Sequence, residues 1–139
     1  MNPQRKLIPG KGLFFLLLLY TAASLLHFVH NAVFLNEYPN MPVWLSAAEV
    51  MGAWCMVAAV GVVGYLLLRW GWKIAGLLIL AVYGALGFAG LDHYWLAPIS
   101  AHSFMMNLTV WFEVLTGLGL ILAAVTSIIK NFPHAYRGN

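Results

Sequence analysis

Apolar residues run along this chain in four long blocks, at about 13–35, 46–68, 74–95 and 104–129, separated by short polar stretches. A helix needs roughly 20 mainly apolar residues to cross the hydrocarbon core of a bilayer, and all four blocks are that long. Within them the apolar residues follow one another without the period-two alternation of barrel strands. The pattern therefore predicts four transmembrane helices. The connections are brief: 36–44 carries Pro39 and Pro42, 69–73 is a tight basic turn, and 97–102 carries Pro98. Short links make consecutive helices antiparallel neighbours. The predicted fold is an all-α integral membrane protein, an up-down four-helix bundle forming one domain over 1–139, with no linker or low-complexity run.

Composition agrees with this. Of the 139 residues, 63% are hydrophobic and only 8% charged. A soluble body of this size has too much surface to hide that apolar fraction, so the lipid bilayer is its solvent. The charges are also sorted. Arg5, Lys6 and Lys11 precede the first helix, Arg69 and Lys73 separate the second from the third, and Lys130 and Arg137 follow the fourth. Alternating spans put all three groups on one side, which the positive-inside rule makes cytoplasmic, together with both termini. The opposite end then faces the periplasm of a bacterial inner membrane. The net charge of +3 follows from this topology and from anionic lipid, and needs no nucleic-acid partner.

Residues 1–24 also carry signal-peptide features: a basic start, an apolar centre and small residues at Ala22 and Ala23. The apolar run continues through Leu25, Phe28, Val29 and Val33 to Leu35, so a retained span is expected. Cys55 is the sole cysteine. It forms no intramolecular disulfide and is expected as a small buried hydrophobe.

Chemistry gathers at the presumed outer side. Ionisable groups in lipid are costly and mark sites, and all four acids and four of the five histidines lie there. His27, His30 and Asn31 are three and four residues apart, hence on one helical face, with Ser24 and Tyr20 extending it inward. Glu37 and Tyr38 follow in the loop. Glu49 lies in the first turn of the second helix, where a carboxylate also favours the helix N-terminus. The third helix closes on Asp92, His93, Tyr94 and Trp95, the last two also suited to the membrane interface. On the fourth, His102, Met106 and Glu113 fall within about 40° of one stripe, and Glu113 is roughly 15 Å deep. It is expected inside the bundle, protonated or paired. Below Tyr20 and Tyr83 no polar steps lead onward, which predicts a dead-end pocket rather than a channel. Ala81, Ala85 and Ala89, flanked by Gly84, Gly87 and Gly90, predict close helix packing. So do Gly61 with Gly64 and Gly117 with Gly119.

The leading expectation is a transition-metal site, zinc, copper or iron, serving as a hydrolytic or redox centre. Its ligands would come from His27, His30, Asp92, His93 and His102, and Glu49 and Glu113 would be its catalytic carboxylates. Haem between His27 and His93 or His102 is a weaker variant without a sequence signature. A second expectation is acid/base chemistry or ligand binding without metal. A third is an accessory subunit, its polar groups pairing within a larger membrane complex or homo-oligomer. No GxSxG elbow, phosphate loop, dinucleotide fingerprint or HExxH motif is present.

The ordered pattern His27-Phe28-Val29-His30-Asn31, Glu49 with Trp54, Gly90-Leu91-Asp92-His93-Tyr94, and Met106-Asn107 with Trp111 resembles the emopamil-binding-protein (EXPERA) family. The likeness spans most of the chain as scattered positions. It implies a membrane bundle with a pocket for a sterol-like or other apolar small molecule, with ligand contacts from Asn31, Tyr94, Asn107 and Trp111. His27, Glu49, Asn107 and Trp111 match family pocket roles. Asn31 stands where the isomerases carry a Glu, and the Asn-to-Trp spacing differs by one. Double-bond migration needs one proton donor and one acceptor, and Asn31 is neither. The resemblance thus implies a kept pocket and an altered reaction, with His30, Glu49 or Glu113 as substitutes.

Overall fold

The computed structural model describes residues 10–131, and all its regular elements are helical. In order they are α1 (Lys11–Val33), a 3-10 turn (Leu35–Glu37), α2 (Ala47–Arg69), α3 (Lys73–Leu86), a 3-10 segment (Gly87–Asp92), α4 (His93–Leu96), a 3-10 turn (Ile99–Ala101) and α5 (Phe104–Asn131). Four stretches are long and apolar enough to cross a membrane: Lys11–Val33, Ala47–Arg69, Lys73–Leu96 and Phe104–Lys130. These match the four expected blocks to within a few residues. Arg5, Lys6 and Arg137 lie outside the described residues.

Two halves can be distinguished along the long axis. The half that carries Lys11, Arg69, Lys73 and Lys130 has a dry core of Leu13, Leu17, Leu68, Leu77, Leu80, Leu120 and Ala124, closed by Tyr20 and Tyr83. Glycine sets the helix approach here. A Cβ on Gly61 would overlap the Tyr83 ring, and one on Gly76 would overlap Leu68. Gly84 and Gly117 let α3 and α5 meet backbone to backbone, since a Cβ on Gly84 would lie 2.6 Å from the Gly117 carbonyl oxygen. Small residues permit this approach in lipid, where packing rather than water drives association. The alanine stripe contributes less than expected: Ala85 and Ala89 are exposed and Ala81 is half-buried, while Gly84, Gly87 and Gly90 are buried. Cys55 is also exposed, not buried. It lies on α2, the span with the smallest buried share.

The third span is not one continuous α-helix. After Leu86 it tightens to a six-residue 3-10 segment, longer than such segments usually run. Glycine is a poor α-helix former. With three residues per turn, side chains three apart eclipse, so Gly87, Gly90 and His93 share one stripe, and all three are buried. This places a backbone-only floor beside α1 and α5, with His93 at its end.

The loop after α1 folds back over the acidic end. Asn40, with φ of 58°, donates its side-chain amide to Leu96 O at 2.8 Å. It thereby ties this loop to the one after α4. Asparagine tolerates the left-handed region better than most residues. The result is that Tyr38, a loop residue, is only 4% exposed.

Candidate functional site

The stripes of α1 and α5 meet in the acidic half. On α1, Tyr20, Ser24, His27 and Asn31 are buried, at spacings of four, three and four. On α5, His102 just before the helix, then Met106, Thr109 and Glu113, repeat that spacing and are also buried. The Gly87–Gly90–His93 stripe closes the third side. His27 Nε2 stands 3.8 Å from Glu113 Oε2. Gly90 makes the room, since a Cβ there would touch Glu113 Oε2 at 3.4 Å and His27 Nε2 at 3.7 Å. Glu113 and His27 are each 2% exposed, so the deepest ionisable residue faces inward as expected and has an imidazole beside it.

Hydrogen bonds assign the imidazole roles. The Thr109 hydroxyl donates to Met106 O at 3.0 Å, and its oxygen is left to accept from His27 Nδ1 at 3.3 Å. His27 therefore carries its hydrogen on Nδ1 and presents a lone pair at Nε2. That lone pair accepts from Asn31 Nδ2 at 3.1 Å. The same Nδ2 donates to His93 Nε2 at 3.2 Å, so one amide joins two imidazoles from two spans. Its Oδ1 is buried and has no partner. His102 donates Nδ1–H to Pro98 O at 3.1 Å, and its Nε2 is buried and unpartnered. Its ring lies 6.1 Å from that of His93.

Tyr38 sits at the centre of the outer layer. Its ring lies 4.9 Å from His93, 5.8 Å from His30 and 6.4 Å from His102. The Tyr38 hydroxyl donates to His30 Nδ1 at 2.8 Å and lies near the Thr109 hydroxyl, which can turn to it from Met106 O. Burial pushes the Tyr38 hydroxyl up to about 12, against the lowering effect of the Thr109 hydroxyl. It is thus a neutral donor under any ordinary condition.

Other expected site residues lie elsewhere. Glu49 closes a capping box at the start of α2: Ser46 N–H donates to its Oε2 at 2.7 Å, and Glu49 N–H donates to Ser46 Oγ at 3.3 Å. It is exposed, and the bond pattern is that of an ordinary helix N-terminus. Asp92 is exposed beside buried His93. Asn107 holds the loop before α5, donating Nδ2 to Ile99 O and His102 O, each at 3.2 Å. It also accepts from Tyr94 at 2.9 Å. Trp111 lies against Tyr94, ring centroids 6.4 Å apart, and is 42% exposed.

Among the described residues no three of His, Cys, Asp and Glu gather closely enough to hold a metal ion. The imidazoles instead face an amide, two hydroxyls and a carbonyl. The zinc, copper, iron and haem readings therefore rest on residue types alone.

A groove of about 620 Å³ opens between α1 and α5 in the same half. Leu26, Phe34, Met105, Leu108 and Phe112 form its apolar walls, while His30, Glu37, Ser103 and Thr109 supply the polar groups. Thr109 thus faces the groove and bonds His27 behind it. Two members of this arrangement escaped the sequence reading as site residues. Thr109 completes the spacing of His102, Met106 and Glu113, a signal that was present. Tyr38 had no such signal, because only the fold of its loop buries it. Comparison with protein families, curated proteins and solved structures returned no match.

Proposed function

We propose that this integral membrane protein binds a small apolar molecule, sterol-like in size, in the groove between α1 and α5. The observation that carries this reading is the groove itself. Its volume of about 620 Å³ falls in the range of roughly 300–1,000 Å³ typical of small-molecule sites. Its walls are apolar, with a few polar side chains to fix orientation, which is the usual design of such sites. His30, Ser103 and Thr109 would hydrogen-bond the head of the molecule, and Glu37 favours a head that donates. The His27–Glu113 pair behind Thr109 supplies acid/base groups next to the bound molecule. This agrees with the pocket that the EXPERA resemblance implies, although the groove is lined by His30 and Thr109 rather than by Asn107 and Trp111.

The architecture we assign is an up-down four-helix bundle in a bacterial inner membrane, with both termini cytoplasmic and the groove on the periplasmic half. Lys11, Arg69, Lys73 and Lys130, gathered at the opposite end, support it. The test is binding of a photoreactive sterol to the protein in nanodiscs. Leu108, 48% exposed on the groove wall, is replaced by Trp to fill the cavity. Saturable labelling of the wild type, lost in Leu108→Trp, is expected. Equal labelling of both proteins would remove the groove from consideration.

A further inference from the structure

The groove and the buried carboxyl are joined by side chains that each both donate and accept a hydrogen. Starting from the deep end, Glu113 Oε2 lies 3.8 Å from His27 Nε2, and transfer between them requires the carboxyl to turn in and displace the Asn31 Nδ2–H from that nitrogen. His27 Nδ1 lies 3.3 Å from Thr109 Oγ1. The Thr109 hydroxyl has two acceptors within reach, Met106 O at 3.0 Å and the Tyr38 hydroxyl. Tyr38 Oη lies 2.8 Å from His30 Nδ1, and His30 lines the groove. Each member has a hydrogen to give and a lone pair to take one, and the order runs through once the Thr109 hydroxyl turns from Met106 O to Tyr38.

We propose that Tyr38 and Thr109 link the groove to Glu113 as a path for proton exchange, so that a molecule in the groove gives or takes a proton whose store is a carboxyl deep in the membrane. In the outward direction the Glu113 O–H passes to His27 Nε2 and the His27 Nδ1–H to Thr109. The Thr109 hydrogen passes to Tyr38, the Tyr38 hydrogen to His30 Nδ1, and the His30 Nε2–H to the acceptor in the groove. Each link gains one hydrogen and loses one. The net change is one proton leaving Glu113, which becomes a carboxylate, and one proton arriving at the acceptor. Inward transfer reverses every step. Glu113 is faced by Tyr20, Ser24 and His27 from α1 and by Tyr83 from α3. His27 is faced by His93 and His30. No Lys or Arg is among these neighbours, so the carboxyl has no fixed cation beside it. On the other side of Glu113 the column stops. The Tyr20 and Tyr83 rings meet edge to face at 4.7 Å, and beyond them the core is apolar.

The delivery of a proton to a bound molecule rests on the proposed function, but the path does not, and it is tested without any ligand. The protein is reconstituted in phosphatidylcholine vesicles and diluted rapidly into D2O. Infrared spectroscopy follows the carboxylic-acid C=O band of Glu113, assigned by its loss in Glu113→Gln. In Tyr38→Phe and in Thr109→Val, both nearly isosteric, exchange of this band is expected to slow roughly tenfold or more. Thr126→Val, on the exposed face of α5 in the basic-end half, is expected to exchange like the wild type. Should Thr109→Val fail to fold, Tyr38→Phe decides alone. Exchange as fast in Tyr38→Phe as in the wild type would overturn the path, and so would the absence of any acid band lost in Glu113→Gln.

Discussion

The two halves of this molecule use the same spans and solve opposite problems. In the basic-end half, glycines at 61, 76, 84 and 117 bring the helices together around leucine, alanine and two tyrosine rings. In the acidic-end half, α1, α5 and the third span enclose imidazoles, an amide, a carboxyl and an inserted tyrosine. The first half has little freedom, because backbone touches backbone. The second keeps buried polar atoms without hydrogen-bond partners among the described residues, Asn31 Oδ1 and His102 Nε2 among them. Packing is concentrated in one half and chemistry in the other.

The sharpest way to break this contrast is to spoil the dry half. Gly84→Val forces side-chain atoms into the Gly117 carbonyl, and overpacking of this kind costs about 1–3 kcal/mol. Gly52→Val, at a position with nothing within 4 Å of the added Cβ, serves as the control. Unfolding in mixed micelles is expected to show a large loss for Gly84→Val and little for Gly52→Val. Similar losses in both would mean that the close approach of α3 and α5 is not what stabilises this half.

A smaller effect is expected in the polar half. Asn31→Leu removes the donor shared by His27 and His93. Leaving buried acceptors unpaired costs about 1–3 kcal/mol, partly relieved here by the loss of the unpartnered Oδ1. The expected signature is a modest drop in stability together with altered His27 and His93 ring signals in NMR. Unchanged ring signals would show that Asn31 does not join the two imidazoles. The smallest effect belongs to Ser46→Ala, which removes half of the α2 capping box. It is expected to cost about 1 kcal/mol and to leave sterol labelling intact. Lost labelling would tie the start of α2 to the site and return Glu49 to it.

Much of the dry half was legible in the sequence. Uninterrupted apolar runs predict helices that span, and lysines and arginines mark one end. The α1 and α5 stripes were legible as well, because His27 with Asn31, and His102 with Met106 and Glu113, follow helical spacing. What stayed hidden depended on departures from that spacing. The 3-10 segment changes the period from 3.6 to 3, so Gly87, Gly90 and His93 align where an α-helix would fan them out. Asp92 is exposed while its neighbour His93 is buried. Glu49 had two readings in the sequence, a site carboxylate or a helix start, and its bonds to Ser46 match the second. Tyr38 depends on a loop held by Asn40, a tertiary contact with no sequence period.

The most direct test of the central contrast is a map of where a photoreactive sterol attaches in the wild-type protein. Digestion and mass spectrometry would locate each adduct. The expected result is saturable labelling confined to the groove walls, around Leu26 on α1, Phe34 just after it, and Met105 to Phe112 on α5. The exposed face of α2 near Val62 and Val63 would show only unsaturable background. Saturable labelling spread evenly over α2, or confined to the basic-end half, would contradict the division of this molecule into a packed half and a binding half.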